Sequence, residues 1–232
     1  MKRLVAIIAA LWMGAAGTAV AEDQPVVIEL FTSQGCSSCP PADEILGQLA
    51  KRDNVIALAM HVDYWDYLGW KDEFADPAHT KRQRAYARAK GERTIYTPQM
   101  VIGGQDHVIG SRPMKIMDTI RKHANKRATV AVQLKRSGGK VSIEARAIRD
   151  LSGDAVVQLV TFVPKSTVKI RRGENAGRTL TYHNVVQDLV RLGTWNGNSA
   201  YSTTANVPDG LPIAVLVQAR NGGVMLGAAQ LR

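Results

Sequence analysis

The sequence predicts an α/β domain followed by an all-β, sandwich-like domain, and three observations lead to this assignment. Up to about residue 126, apolar runs of strand length alternate with segments whose apolar residues recur at helical spacing. Beyond that point, apolar and polar residues alternate and glycine-containing turns recur. A leader-like segment precedes both. We therefore divide the 232 residues into a signal peptide at 1–21, an α/β domain at 22–126 and an all-β domain at 127–232.

The first 21 residues have the features of a secretory signal peptide. Lys2 and Arg3 form a positive start, Leu4–Ala16 is an apolar core, and Ala19–Ala21 is a small-x-small cleavage site. The apolar core is too short for a stable membrane span. We expect an exported protein, periplasmic or secreted, with no transmembrane span in its mature form. The net charge is +10, but export makes nucleic acid an unexpected partner.

The α/β domain is predicted to follow the order β-α-β-α-β-β-α. Strands are expected where apolar residues run together, at residues 26–31, 55–62, 100–102 and 107–109. Helices are expected after Cys39, between Asp76 and Gly91, and around Ile116 to Ala124. Two strands joined through a helix form a right-handed parallel crossover, whereas the last two strands are joined by a turn and run antiparallel. The result is a mixed sheet with helices packed on it.

The second half of the chain is predicted to be a small sandwich. Its strands are expected at residues 130–134, 141–147, 155–163, 213–217 and 224–228. Turns are expected at residues 137–139, 152–154, 208–210 and 221–223. No nucleophile motif of the Gly-x-Ser-x-Gly kind occurs in the chain, so we interpret this half as a binding or scaffolding module.

Cys36 and Cys39 are the two cysteines of the chain, and three interpretations of the pair are open. A structural disulfide would close a four-residue loop, worth only about 2 kcal/mol in the chain-entropy formula. A zinc site would need two further ligands, and there is no second cysteine pair and no His-x-x-x-His. A redox dithiol fits the short spacing, because the second cysteine must reach the first to resolve a mixed disulfide.

The context of the pair resembles the thioredoxin superfamily. The sequence Phe-Thr-Ser-Gln-Gly-Cys-Ser-Ser-Cys at residues 31–39 follows a strand, and Thr97-Pro98 precedes a later one. The resemblance implies a thioredoxin-like fold, a cis Pro98 facing the disulfide, and no organic cofactor. It also implies Cys36 as the attacking thiol, Cys39 as the resolving thiol, and protein or small-molecule thiols and disulfides as partners. The predicted sheet agrees, because the start of the Met100 strand should meet the end of the Val26 strand.

The chain is also similar to a family of uncharacterised bacterial secreted or periplasmic proteins with a thioredoxin-like N-terminal domain and no settled activity. The similarity is carried by residues 29–43, 61–72 and 96–100, with Gly173-Glu174-Asn175 and residues 185–195 in the second half.

Two features depart from ordinary thioredoxins. Gly35 occupies a position where tryptophan often precedes the first cysteine. Pro40 and Pro41 follow the second cysteine, and proline restricts the residue before it. The helix is therefore expected to begin near Pro41 and to leave Cys36 outside its first turn. Stabilisation of the thiolate would then come from the Ser37 and Ser38 hydroxyls or from nearby backbone N–H groups.

A segment rich in aromatic residues, residues 61–70, should emerge beside the cysteines because it follows a parallel strand. We assign Tyr64, Trp65 and Trp70, with Thr97, to substrate binding, although packing of a long connection explains the aromatic residues equally well.

The same segment contains His61, which raises an alternative function. Cys36, Cys39 and His61 together could form a copper site, since thiolates and imidazole suit copper. The sequence therefore predicts an exported thiol–disulfide oxidoreductase, with a periplasmic copper-binding or copper-delivery protein as the alternative.

Overall fold

The structure, a computed structural model, describes residues 24–220 and 222–232. The predicted signal peptide lies outside the described residues. The helices are α1 (Pro40–Leu49), α2 (Pro77–Ala89) and α3 (Pro113–Ala124), with a short 3-10 helix at Asp66–Leu68. The strands are β1 (Val26–Thr32), β2 (Val55–His61), β3 (Gln99–Ile102), β4 (Asp106–Ile109), β5 (Val130–Ser137), β6 (Lys140–Ala147), β7 (Ala155–Lys169), β8 (Thr179–Trp195), β9 (Tyr201–Asn206), β10 (Ile213–Ala219) and β11 (Met225–Leu231).

The fold is mixed α/β, built on an eight-stranded sheet with a second, all-β sheet beside it. The large sheet has the order β11-β10-β7-β8-β2-β1-β3-β4, and the small one has the order β5-β6-β9. β1 and β2 are parallel, whereas β3 is antiparallel to both β1 and β4. The element order predicted for the first half is confirmed, because its apolar runs and helical spacings are unambiguous.

The two halves of the chain share one sheet, which the sequence did not predict. β8 lies beside β2, and the parallel pairing joins Ala59 to Val185. β7, β10 and β11 continue the sheet beyond β8, so three strands predicted for a separate all-β domain extend the sheet of the first half. The small sheet packs on β7 and β10 through a common apolar cluster. The predicted boundary falls in the connection between α3 and β5.

β8 and β9 were not predicted as strands. The alternation in β8 is interrupted at Asn184, which has a φ of 49°. Residues other than glycine seldom adopt this region, and Asn is among those that do so most readily. The Asn184 side chain donates to the Ala57 carbonyl at 2.9 Å and so ties β8 to β2 where the regular pairing is short.

The C-terminal ends of β1 and β2 and the N-terminal end of β3 lie at the same end of the large sheet. Thr32 at the end of β1 pairs with His61 at the end of β2. Phe31 pairs with Gln99 at the start of β3. The segment after β1, the segment after β2 and the segment before β3 are therefore neighbours. No helix in the described part of the chain combines the length and the hydropathy needed to cross a membrane.

Candidate functional site

The cysteine loop, residues 33–39, joins β1 to α1. Cys36 and Cys39 form a disulfide with their Cα atoms 5.4 Å apart. Both cysteines have 0% relative exposure, whereas Ser37 and Ser38 between them are exposed. α1 begins at Pro40 with Cys39 as its N-cap, so Cys36 precedes the first turn, as predicted. The Cys36 Sγ lies 3.4 Å from the Ser38 Oγ, which places a hydroxyl beside the sulfur.

Pro98 lies across a groove from the cysteine loop. The Thr97–Pro98 bond is cis. The groove has a volume of about 470 Å³, and its lining residues are all uncharged: Ser38, Tyr96, Thr97, Pro98, Ile109 and Ser111. The structure therefore brings Pro98 and Thr97 to the Cys-x-x-Cys segment, where the sequence placed them.

Gly110 allows this close approach. Its backbone N–H donates to the Pro98 carbonyl at 2.9 Å. A Cβ at this position would lie 2.9 Å from the Ala42 Cβ and 3.1 Å from the Pro98 Cβ. Only a residue without a side chain leaves room for the Pro98 segment to pack against α1.

The predicted substrate-binding aromatic residues form hydrogen bonds to three different side chains. The Trp65 indole N–H donates to the Thr97 hydroxyl at 2.7 Å. The Trp70 indole N–H donates to the Gln34 side chain in the cysteine loop, also at 2.7 Å. Both rings therefore support the groove and the loop. The Tyr64 hydroxyl donates to Gln83 on α2 at 3.2 Å and also lies near the side chain of Thr97.

His61 is paired with an acid rather than grouped with the cysteines. Its Nδ1 lies 2.7 Å from the Asp72 Oδ2, and both side chains are fully buried. The same Asp72 oxygen accepts a hydrogen bond from the Gln34 N–H at 2.8 Å. Burial raises the pKa of Asp72, but the His61 charge and the hydrogen bonds outweigh it and hold that pKa below its usual value. Within residues 24–220 and 222–232, no group of three or more His, Cys, Asp or Glu could hold a metal ion.

The second half of the chain contributes contacts to the cysteine loop that the sequence analysis missed. They come from the β7–β8 loop, residues 170–178. The buried Asn175 side-chain amide donates to the Gln34 carbonyl at 2.9 Å and to the Cys36 carbonyl at 3.0 Å. The Glu174 carboxylate accepts from the Ser37 N–H at 3.1 Å. Both residues were noted only for their family resemblance, because nothing in sequence spacing links them to the cysteines.

A buried polar cluster lies behind the cysteine loop. Asp43, on the first turn of α1, accepts from the Thr32 hydroxyl at 2.8 Å. Burial raises the pKa of Asp43 to about 7, against the opposing effects of His61 and Thr32. The His61 and Tyr182 rings meet edge-on at 4.8 Å between centroids. The Asp43 Oδ2, the His61 Nε2 and the Tyr182 hydroxyl have no hydrogen-bond partner among the described residues.

Comparison with known proteins identifies a family of unknown function and two similar solved structures. A family model described as a protein of unknown function, DUF1223, matches residues 27–218. A solved structure from Agrobacterium tumefaciens is 35% identical and covers 89% of this chain and 93% of its own, with a TM-score of 0.76. HBP35 of Porphyromonas gingivalis is similar in fold, with a TM-score of 0.66 at 16% identity over 90% of this chain and 75% of its own. No curated protein matches the chain.

Proposed function

The chain belongs to the DUF1223 family, whose function is unknown, and we propose that it is an exported thiol–disulfide oxidoreductase. In this proposal the first half is thioredoxin-like. Cys36 is the attacking thiol, Cys39 is the resolving thiol and Pro98 shapes the docking of the partner. The periplasm or the cell exterior is the proposed location.

One observation carries the proposal: the segment between the cysteines and the cis Pro98 line a single uncharged groove. A partner chain bound in this groove would lie beside both the segment between the cysteines and Pro98. A disulfide meant only to stabilise the fold would not require such a groove, and it would close a longer loop to greater effect. Trp65 and Trp70 support the proposal because they brace the groove and the cysteine loop with indole hydrogen bonds.

The proposed reaction is a two-step exchange. In the direction that reduces the partner, the Cys36 thiolate attacks one sulfur of a partner disulfide. A mixed disulfide forms, and the other partner sulfur leaves as a thiolate that takes a proton. The Cys39 thiolate then attacks the Cys36 sulfur, which closes the Cys36–Cys39 bond and releases the second partner thiol. Two electrons pass from the dithiol to the partner, and the reverse sequence oxidises it.

Access to the sulfur atoms requires local movement in this proposal. Both cysteines are buried in the oxidised form, so a reagent in solution does not meet the disulfide directly. A partner bound in the groove would contact Pro98 and Ser38, and Ser38 lies between the two cysteines. We therefore expect faster exchange with partners that occupy the groove than with small thiols of the same acidity.

The copper alternative is not favoured by a specific observation. It needs His61 grouped with the two sulfurs, and in the part of the chain that the structure describes no group of three or more His, Cys, Asp or Glu has the arrangement of a metal site.

The test is the reduction potential of the pair, measured by equilibrating the mature protein with glutathione or dithiothreitol. We expect a value between about −270 and −120 mV, the range of known thioredoxin-like enzymes. A value below about −300 mV would instead match a disulfide that resists reduction. As a matched pair of variants, Cys39→Ser should accumulate a mixed disulfide through Cys36, whereas Cys36→Ser should not.

A further inference from the structure

The Glu174 carboxylate lies at the tip of the β7–β8 loop and contacts the backbone between the two cysteines. It accepts a hydrogen bond of 3.1 Å from the N–H of Ser37, the residue directly after Cys36. Glu174 is exposed to solvent, so its carboxylate is accessible to a substrate that approaches from solution. The hydrogen bonding with Ser37 lowers the pKa of Glu174, and the group is therefore negative at neutral pH.

The other charged groups that the structure describes near the cysteine loop form no side-chain hydrogen bond to residues 36–39, and they include the exposed Arg171 and Arg172 of the same β7–β8 loop. The carboxyl groups of Asp43 and of Asp72, which is hydrogen-bonded to His61, are buried in the interior. Arg178 donates to the Asn175 side chain at 2.9 Å rather than to the loop. Among side-chain hydrogen bonds to residues 36–39 in the described structure, Glu174 is the charged partner. The groove on the Pro98 side contributes no charge.

We propose, on the premise of the exchange reaction above, that Glu174 shifts the preference of the Cys36 site towards cationic and away from anionic disulfide substrates and lowers the reduction potential of the pair. Glu174 acts as a positioning and specificity residue, because it touches the backbone of the loop rather than the reacting sulfurs.

Two physical effects underlie this selection. The negative charge of Glu174, which is hydrogen-bonded to the residue after Cys36, attracts a cationic disulfide and repels an anionic one during encounter. The carboxylate also occupies the Ser37 N–H, a backbone donor adjacent to Cys36, and its charge opposes a thiolate there. The reduced form is thereby disfavoured relative to the disulfide. Both effects are screened by salt because Glu174 is exposed.

The experiment compares Glu174→Gln with the wild type. Glutamine retains an oxygen that can accept from Ser37 but removes the charge. Reduced protein is oxidised with cystamine, a dication, and with oxidised glutathione, an anion, at low and at high salt. Asp209→Asn is the control, since it removes an exposed charge at the turn after β9, in the small sheet.

We expect the ratio of the cystamine rate to the glutathione rate to fall by about threefold or more in Glu174→Gln, a size typical of exposed charges. The difference should shrink at high salt, the potential should become less negative, and Asp209→Asn should behave like the wild type. An unchanged ratio in Glu174→Gln, or an equal change in Asp209→Asn, would overturn the proposal.

A second readout separates this proposal from the exchange reaction itself. After chemical reduction by a phosphine, Cys36 is alkylated with neutral iodoacetamide and with anionic iodoacetate. Loss of Glu174 should raise the iodoacetate rate relative to the iodoacetamide rate, even in a protein that exchanges with neither disulfide. Failure to exchange would count against the proposed function, whereas an unchanged alkylation ratio would count against the role of Glu174.

Discussion

Asn175 and Cys36 are 139 residues apart in the chain, yet the Asn175 side-chain amide donates to the Cys36 carbonyl at 3.0 Å. The same nitrogen donates to the Gln34 carbonyl at 2.9 Å, and Asn175 is buried. Two backbone carbonyl groups of the cysteine loop therefore obtain their hydrogen-bond donor from a residue in the second half of the chain. The conformation of the proposed redox site depends on both halves.

Replacing Asn175 by Ala should destabilise the oxidised protein by about 1–3 kcal/mol, because two buried carbonyls lose a donor. The loss is measured as a fall in the urea midpoint. The disulfide should also be reduced faster by dithiothreitol, since the loop is less firmly held. Asn198→Ala, at an exposed turn position, is the control and should change neither value. Equal stability of the two variants would show that the contact does not hold the loop.

Replacing Ser38 by Ala should make Cys36 a weaker acid. The Ser38 hydroxyl lies 3.4 Å from the Cys36 sulfur, and a donor at that position stabilises the thiolate. Without it, the rate of Cys36 alkylation at pH 7 should fall by roughly threefold to tenfold, as the thiolate fraction falls. Alkylation across a pH series measures the effect, with the groove residue Ser111→Ala as the control. A faster reaction in Ser38→Ala would contradict this role.

Replacing Gly110 by Ala should displace Pro98 from α1. The new Cβ would lie 2.9 Å from the Ala42 Cβ, and such overpacking costs about 1–3 kcal/mol. Thermal or urea unfolding gives the cost, and disulfide exchange should slow as the groove changes shape. Gly139→Ala is the matched control, because its nearest contacts are at 3.6 Å and 3.7 Å. If both variants were equally stable, the packing argument would be wrong.

Replacing Asp43 by Asn should flatten the dependence of stability on pH. Burial raises the pKa of Asp43 to about 7 in the folded protein, above its value in the unfolded chain. The unfolded state therefore releases this proton first, and the wild type loses stability as the pH rises from about 4 to 7. The loss is on the order of 4 kcal/mol for about three pKa units.

Urea midpoints of the wild type and Asp43→Asn at pH 4, 5, 7 and 8 test this expectation. The two proteins should be close in stability at pH 4, and the variant should be the more stable at pH 8, since asparagine can still accept from Thr32. Parallel curves for the two proteins would mean that Asp43 is ionised in the folded state throughout.

Local patterns in the sequence were enough to predict the first half of the fold. Apolar runs and helical spacings located β1 to β4 and α1 to α3, and the parallel ends of β1 and β2 brought residues 61–70 to the cysteines. β8 was missed because Asn184 interrupts its alternation. The shared sheet was not predicted because no local sequence pattern indicates which strand pairs with β2.

The same distinction applies to the site. Cys36 and Cys39 were proposed from their spacing, Thr97 and Pro98 from the resemblance to the thioredoxin superfamily, and Trp65 from its position after a parallel strand. The contributions of Asp72 and Asn175 come from single side chains that reach the cysteine loop across 38 and 141 residues to the Gln34 backbone. Polar contacts of that kind follow no periodicity or fixed residue spacing in the sequence, so they can be recognised only in the folded structure.

The position of β8 beside β2 has a consequence for shorter versions of the chain. Every residue of β2 is buried, and most of them are apolar. A fragment ending at residue 126 would lose β8, leaving the backbone N–H and C=O groups along that side of β2 open to pairing with another molecule. It would also uncover Leu58 and Met60, which belong to one apolar cluster with Phe162 and Leu216 of the second half. Self-association through an open strand edge is therefore the expected fate of the isolated first half.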